Sequence, residues 1–159
     1  MVIIFLIFLT SCTDIGHQVD AVAFTNTFRR VKYIDNYDGD TITVTIRGLP
    51  PVFGHKIPVR IKHIDTAEMN GKTDCEHSMA ILAKRQVHTL LHKALRIDLE
   101  KTGRGSFFRI LADVRIRGMR GSYLLSDYLL DAGYAVAYEG GSKPATDWCE
   151  QQKIMLEKQ

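Results

Sequence analysis

A strict alternation of residue type constrains the fold of this chain more than any other feature of its sequence. From residue 41 to residue 46, threonine alternates with a branched aliphatic residue, so Ile42, Val44 and Ile46 share one side of an extended chain. This period of two is typical of a half-buried antiparallel strand. Asp40 falls on the apolar side, where an ionised carboxylate is costly unless it is hydrogen-bonded or binds a cation.

Other short runs rich in Val, Ile and Thr predict four more strands. They lie at residues 28–34, 56–64, 94–101 and 107–118. The chain thus offers three strands, a long gap and two further strands, without an internal repeat.

Helical patterns fill the gap and the C-terminal end. Thr73 and Glu76 form a capping box ahead of apolar residues at helical spacing. A short helix is predicted from Ser122 to about Gly133, and a last one from about residues 146–147. The order predicts an α+β fold, a five-stranded OB-fold barrel with a helix between strands 3 and 4 and two C-terminal helices. Such barrels often bind oligonucleotides, but the fold alone does not establish catalysis.

The N-terminal segment predicts export. Residues 1–11 are uncharged and mostly apolar, yet shorter than the roughly 20 residues that span a bilayer, which is typical of a signal peptide. Residues 9–12 resemble a bacterial lipobox, so a lipid on Cys12 is expected to anchor the chain to a membrane. The missing basic n-region leaves simple cleavage or a misassigned start codon open. Residues 12–26 are interpreted as a linker, and residues 27–159 as one globular domain.

The remaining cysteines and two histidines raise the question of further crosslinks or metal sites. Cys75 and Cys149 predict one disulfide in an exported protein, with two free thiols or half a zinc site as alternatives. His88 and His92 lie four residues apart on the long helix, on one face. Because lysines and arginines alternate with them and no third ligand accompanies them, the pattern favours a solvated face.

Two acidic segments about twenty residues apart indicate the chemistry. Residues 38–41 read DGDT, which alone is typical of an ordinary turn, and residues 60–68 read RIKHIDTAE at the end of the third strand. Together they resemble the signature of the staphylococcal nuclease (thermonuclease) family, whose OB barrel has the same order of elements. The resemblance runs from about Val31 to Cys149.

This resemblance implies an active site with one Ca²⁺ ion. Its metal ligands are the Asp40 and Asp65 carboxylates and the Thr66 backbone carbonyl, all of them the hard oxygens that calcium prefers. Glu68 falls on the family's catalytic glutamate, generally regarded as the base that activates water. Arg60 falls on a phosphate-binding arginine, a role that suits the bidentate guanidinium. A helix-start glutamate and an ion-paired arginine are the structural alternatives.

The remaining site residues match the family less closely. Arg109 is preferred over Arg104 as the second phosphate-binding arginine, because a strand follows it whereas Arg104 lies between two glycines. Phe107 replaces a tyrosine that helps hold a terminal phosphate. Tyr138 matches a tyrosine beside the bound nucleotide and can offer a stacking face, unless it is a core residue. Ala67 replaces the family's common proline, so the turn that directs Glu68 is less rigid.

The resemblance therefore implies a calcium-dependent nuclease that hydrolyses DNA and RNA to 3′-phosphorylated products. The net charge of +3 suits a polyanionic substrate without requiring one. We expect a monomer in the periplasm, on the cell envelope or outside the cell. The alternative is a non-catalytic OB-fold module that binds nucleic acid, and the intact acidic and basic residues of the motif argue against it.

Overall fold

The computed structural model describes residues 26–105, 108–119, 121–143 and 145–158. These residues form a mixed α+β fold with one large sheet, a small two-stranded ladder and helices. The predicted signal peptide, Cys12, most of the linker and Phe107 lie outside the described residues. In the described part of the chain, no helix combines the length and apolar character needed to cross a bilayer.

Eight strands and four helices are described. The strands are β1 (Lys32–Asn36), β2 (Thr41–Thr45), β3 (Ile57–Ile61), β4 (Ile64–Asp65), β5 (Arg96–Arg104), β6 (Ile110–Gly118), β7 (Gly121–Leu124) and β8 (Val136–Ala137). The helices are α1 (Pro51–Gly54), α2 (Asp74–His92), α3 (Leu125–Asp131) and α4 (Trp148–Glu157).

The large sheet has the strand order β1-β2-β3-β6-β5, with β7 added to β6, and only the β3–β6 pair is parallel. β4 and β8 form a separate antiparallel ladder. The α+β class is thus as predicted, but the sheet is not a closed barrel. Backbone hydrogen bonds nevertheless join the segment before β1 to β5. Phe28 and Leu99 exchange two hydrogen bonds, each of 2.8 Å, and the Val31 N–H donates to the Ile97 carbonyl at 3.0 Å.

The predicted alternation in β2 is confirmed. Ile42 and Val44 have no exposed surface and Ile46 has 4%, while the threonines between them are half-buried. The long helix also begins as predicted, because the Thr73 hydroxyl accepts a hydrogen bond from the Glu76 N–H at 3.2 Å. Local pattern and burial agree in these two elements.

The prediction of a helix beginning at Ser122 is wrong. Gly121, with φ +125°, lies in the reversal after β6, and Ser122 then pairs with Arg117 as part of β7. The helix begins only at Leu125. The short β7 strand was missed because it carries no long period-two pattern and directly precedes the helix.

The core lies between the large sheet and the helices. The helix α2 buries one apolar stripe: Met79, Ala80, Ala83, Val87 and Leu91. Each fully buried aliphatic side chain contributes about 1.5–3 kcal/mol relative to exposure. This stripe holds α2 against the sheet and thereby positions the segment that leads into it.

Cys75 and Cys149 are confirmed as a disulfide pair, with Cα atoms 5.0 Å apart. Cys75 is the second residue of α2, and Cys149 is the second residue of α4. The Asp147 carboxylate caps α4 by accepting from the Cys149 and Glu150 N–H groups. The bridge therefore joins the first turns of two helices, and with them the segments that precede those helices.

Candidate active site

Strand register brings the predicted acidic residues to one end of β2 and β3. Thr41, the first residue of β2, pairs with Arg60 on β3, so Asp40 and Arg60 are neighbours across the ladder. Four residues after β3, the short strand β4 ends at Asp65, and Thr66 follows. Pairing of β4 with β8 fixes this second segment.

The Arg60 guanidinium bridges the two predicted metal-binding carboxylates. Its Nη1 donates to Asp40 Oδ1 and its Nη2 donates to Asp65 Oδ1 at 2.7 Å. The Thr66 N–H and hydroxyl donate to Asp40 Oδ2 at 3.0 and 2.9 Å, and the Thr41 hydroxyl donates to Asp40 Oδ1 at 3.1 Å. Asp40 is 1% exposed and Asp65 5%, so both carboxylates are buried within hydrogen bonds.

The turn before β2 aims Asp40 into this cluster. Asp38 is buried, and its Oδ1 accepts hydrogen bonds from the N–H groups of Asp40 at 3.0 Å and Thr41 at 2.7 Å. An aspartate that bonds the backbone two residues on forms an Asx turn. The DGD sequence is therefore a turn, as its pattern indicates, and the turn delivers the second aspartate to the interior.

Gly39 allows the two acidic segments to approach each other. A Cβ atom added at Gly39 would lie 2.7 Å from the Cβ of Ala83 on α2 and 2.8 Å from Cγ2 of Thr66. Both distances are well below ordinary van der Waals contact. A larger residue would push Thr66 away and lengthen its hydrogen bonds to Asp40.

The electrostatics of Asp40 follow from its burial. Burial, followed by the neighbouring Asp38 carboxylate, raises the pKa of Asp40 to about 7, while Arg60 and the Thr66 hydrogen bonds oppose the rise. A carboxyl group this strongly desolvated gains from a nearby cation. The Asp40 carboxylate therefore interacts favourably with positive charge.

Glu68 and Lys143 complete the mouth of the cluster. Glu68 follows the buried turn and its side chain is 47% exposed. The Lys143 ammonium lies 2.5 Å from Glu68 Oε1 and 2.9 Å from Asp65 Oδ1. Although burial lowers the pKa of Lys143, the Glu68 and Asp65 carboxylates raise it above its ordinary value, so the ammonium stays charged. One cation thus links the predicted base to a predicted metal ligand.

Lys143 is a member of the site that no sequence motif indicates. It lies 75 residues after Glu68, in the segment between β8 and α4. The only feature of the surrounding sequence is the pair of glycines shortly before it. That pattern is typical of any polar loop. Only the path of the chain reveals the contact.

Tyr138 lies beside the cluster, at the rim of a depression of about 270 Å³ that Arg60 also lines. Its side chain is half-buried, its N–H donates to the His63 carbonyl at 3.1 Å, and its hydroxyl donates to the Gly141 carbonyl at 2.6 Å. The ring is therefore held by the loop that carries Lys143. This location next to Arg60 agrees with a rim position rather than a core one.

Arg109 lies one residue before β6, where Ile110 pairs with Val59 and the next residue pairs with Arg60. Arg104, the last residue of β5, pairs with Ile110. Both arginines line one larger depression near Pro58, whereas Arg60 lines the smaller depression beside Tyr138, so the structure does not decide between Arg109 and Arg104.

The donor set of the cluster suits a hard cation. In the described residues, no group of three or more His, Cys, Asp and Glu side chains has the arrangement of a metal site. Two adjoining carboxylates and a backbone carbonyl are nevertheless the oxygen donors that Ca²⁺ prefers, provided that water and substrate supply the rest. A cation here has to displace Arg60 and Lys143 from part of their present contacts with Asp40 and Asp65.

Neither models of known protein families nor curated proteins match this sequence.

Proposed function

We propose that this protein is a calcium-dependent nuclease that hydrolyses phosphodiester bonds in DNA and RNA and leaves 3′-phosphorylated products. The observation that carries the proposal is the convergence of Asp40, Arg60, Asp65 and Thr66 in one buried hydrogen-bonded cluster, with Glu68 at its exposed mouth. These residues come from two separate segments of the chain. Their convergence is what a shared active site requires.

The charge of the cluster supports this chemistry. Its three carboxylates and the two cations Arg60 and Lys143 leave a net charge of −1 when all are ionised. Bound Ca²⁺ reverses this sign and so favours a phosphodiester, whose charge is −1. Asp40, Asp65 and the Thr66 carbonyl are the residues proposed to hold the ion. When bound, the ion supplies positive charge to a phosphate oxygen.

Glu68 is the proposed general base. Its half-exposed carboxylate can accept a proton from a water molecule that attacks phosphorus, whereas Asp40 and Asp65 are buried. Arg60 has a planar pair of donors directed at the cluster, which suits the oxygens of a phosphodiester in the transition state. Arg109 is proposed as the second cation for the same phosphate, and Phe107 and Tyr138 as neighbours of the nucleotide.

The finer fold is part of the proposal. The hydrogen bonds between the segment before β1 and the strand β5 bring the ends of the sheet together, as expected for a distorted OB barrel. We also propose a monomeric, exported protein, retained at a membrane if Cys12 carries a lipid. The Cys75–Cys149 pair agrees with an oxidising compartment.

A plasmid digestion tests the proposed activity. Wild-type protein is expected to cut supercoiled DNA and single-stranded RNA with added calcium and to leave both intact with chelator. Glu68→Gln is expected to lower the rate by about 10²-fold or more, because the base is lost while the fold is kept. Glu150→Gln, an exposed glutamate on α4, is the matched control and should cut normally. Binding of DNA without cleavage by the wild type would instead favour the non-catalytic module.

A further inference from the structure

His88 and His92 form an aromatic cluster on α2 that the proposed nuclease site does not use. Their ring centres lie 4.3 Å apart, one turn from each other, and both residues are exposed. Tyr33 from β1 meets both rings edge-on, with centre distances of 6.0 Å to His88 and 5.4 Å to His92. The sequence pattern favoured a solvated face, and the structure adds this tyrosine partner.

A chain of hydrogen bonds determines which nitrogen of His88 carries the proton. The Asn36 amide Nδ2 donates to the carbonyls of Asp38 at 2.7 Å and Lys84 at 3.1 Å. Because carbonyls only accept, this fixes the amide orientation, and Asn36 Oδ1 must accept from the Tyr33 hydroxyl. The Tyr33 oxygen, 3.1 Å from His88 Nδ1, is then left to accept a hydrogen bond from that nitrogen.

The neutral His88 ring therefore carries its proton on Nδ1 and presents the Nε2 lone pair. Histidines that bind metals commonly donate their other ring N–H to an oxygen in this way, which fixes both tautomer and ring orientation. Burial, followed by the Asp35 carboxylate, raises the pKa of Tyr33 to about 12. The phenol thus stays neutral, as a hydrogen-bond partner rather than a ligand.

We propose that His88 and His92 bind one transition-metal ion of the kind that prefers imidazole, such as Zn²⁺, Ni²⁺ or Cu²⁺. With metal–nitrogen bonds of about 2.0–2.1 Å, two imidazoles on one ion have ring centres roughly 5 Å apart. The observed separation of 4.3 Å is close to this value. Water completes the coordination, because no third His, Cys, Asp or Glu joins the pair among the described residues.

Nearby charges set the strength and selectivity of the site. Lys84 and Arg85 line the surface depression beside His88, and Arg96 lines the one beside His92. These cations oppose a divalent ion and so weaken its binding to the two imidazoles. Calcium, which prefers oxygen ligands, does not compete. The site is thus chemically distinct from the acidic cluster at the end of β2.

Calorimetric titration of untagged protein with ZnCl₂ and with CuCl₂, in excess calcium, tests this site without any measurement of cleavage. One ion per chain is expected, with copper bound more tightly than zinc. His88→Gln and His92→Gln are each expected to weaken binding by about tenfold or more, since each removes one of two ligands. His55→Gln, an exposed histidine outside the cluster, is the matched control and should leave binding unchanged.

Tyr33→Phe tests the hydrogen-bonded partner separately. It keeps both histidines and the aromatic ring but removes the oxygen that holds His88 Nδ1, so zinc affinity is expected to fall by about tenfold at unchanged stoichiometry. Absence of saturable binding by the wild type would overturn the proposal, as would binding that survives the His88→Gln/His92→Gln double variant. Circular dichroism of each variant verifies that α2 is intact.

Discussion

At the scale of single residues, Lys143 adds a cation to the acidic site that the sequence motif predicts. Its ammonium contacts Asp65 and Glu68, so it neutralises both a proposed metal ligand and the proposed base. Asp40 instead accepts hydrogen bonds from the Arg60 guanidinium and from the N–H and hydroxyl of Thr66. The cluster therefore has buried carboxylates in its interior and the Lys143 ammonium at its mouth.

Removal of the Lys143 charge is expected to tighten calcium binding. Lys143→Met eliminates a cation that competes for Asp65 and Glu68, and the calcium dissociation constant should fall by about tenfold for a charge at this distance. Lys143→Arg keeps the charge and should stay near the wild type. Calorimetric titration with calcium measures the change, with Lys153→Met on α4 as the control. An unchanged constant for Lys143→Met would show that the ammonium does not compete.

Gly39 is expected to be the least replaceable residue of the turn. Gly39→Ala brings a methyl group against Ala83 and Thr66, and overpacking of this kind typically destabilises by about 1–3 kcal/mol. Gly103→Ala is the matched control, because nothing lies within 4 Å of a Cβ atom there. Urea unfolding of both variants compares them. Equal stabilities would mean that Gly39 is not tightly packed against Ala83 and Thr66.

At the scale of elements, ion pairs and one covalent bridge join segments distant in sequence. Asp98 on β5 is 2% exposed and accepts from the Arg96 side chain and the Arg30 N–H, both at 2.8 Å. Arg117 on β6 approaches the same carboxylate at 3.5 Å. Asp98 thus adds a side-chain link to the backbone hydrogen bonds that join the segment before β1 to β5.

Stability is expected to fall in acid through Asp98. Burial raises the pKa of Asp98, but the Arg96 and Arg30 hydrogen bonds outweigh this effect and hold the pKa below its usual value. A lowered folded-state pKa stabilises above the unfolded value of about 3.9, and the stabilisation is lost as pH falls through the folded value. Asp98→Asn should therefore lower the free energy of unfolding by about 1–3 kcal/mol near pH 7, and by less near pH 3, which lies below the unfolded value.

Urea unfolding of wild type and Asp98→Asn at both pH values measures this difference. Asp127→Asn, an exposed aspartate on α3, is the control. A stability difference that is the same at both pH values would contradict the role assigned to the Asp98 carboxylate.

The disulfide is expected to contribute to stability by constraining the unfolded chain. Cys75 and Cys149 are 74 residues apart, so their bridge closes a long loop, and its removal should lower the free energy of unfolding by about 2–4 kcal/mol. Urea unfolding of the double serine variant, compared with wild type in oxidising buffer, measures the loss. Alkylation of both cysteines in unreduced, unfolded wild type would contradict the pairing.

At the scale of the whole molecule, the sequence predicts parts of the fold and site that depend on local pattern. Asp40 could be placed inside from strand parity, and its 1% exposure confirms this. Lys143 could not be found, because its contact with Glu68 spans 75 residues and depends on the path of a loop. The prediction of a helix from Ser122 was wrong, because β7 forms by pairing with β6 and local sequence does not show that pairing. Local periodicity likewise could not predict that the sheet is not a closed barrel.

The central claim is that one cluster divides metal binding and proton transfer between different carboxylates. Its most direct test is the rate of DNA cleavage measured across a calcium titration for wild type, Asp65→Asn and Glu68→Gln. Asp65→Asn should require much more calcium for half-maximal rate, because a metal ligand is weakened. Glu68→Gln should change the half-saturating calcium concentration much less than Asp65→Asn does, while its maximal rate falls by about 10²-fold or more. Cleavage by wild type that is independent of calcium, or an undiminished rate for Glu68→Gln, would contradict the account.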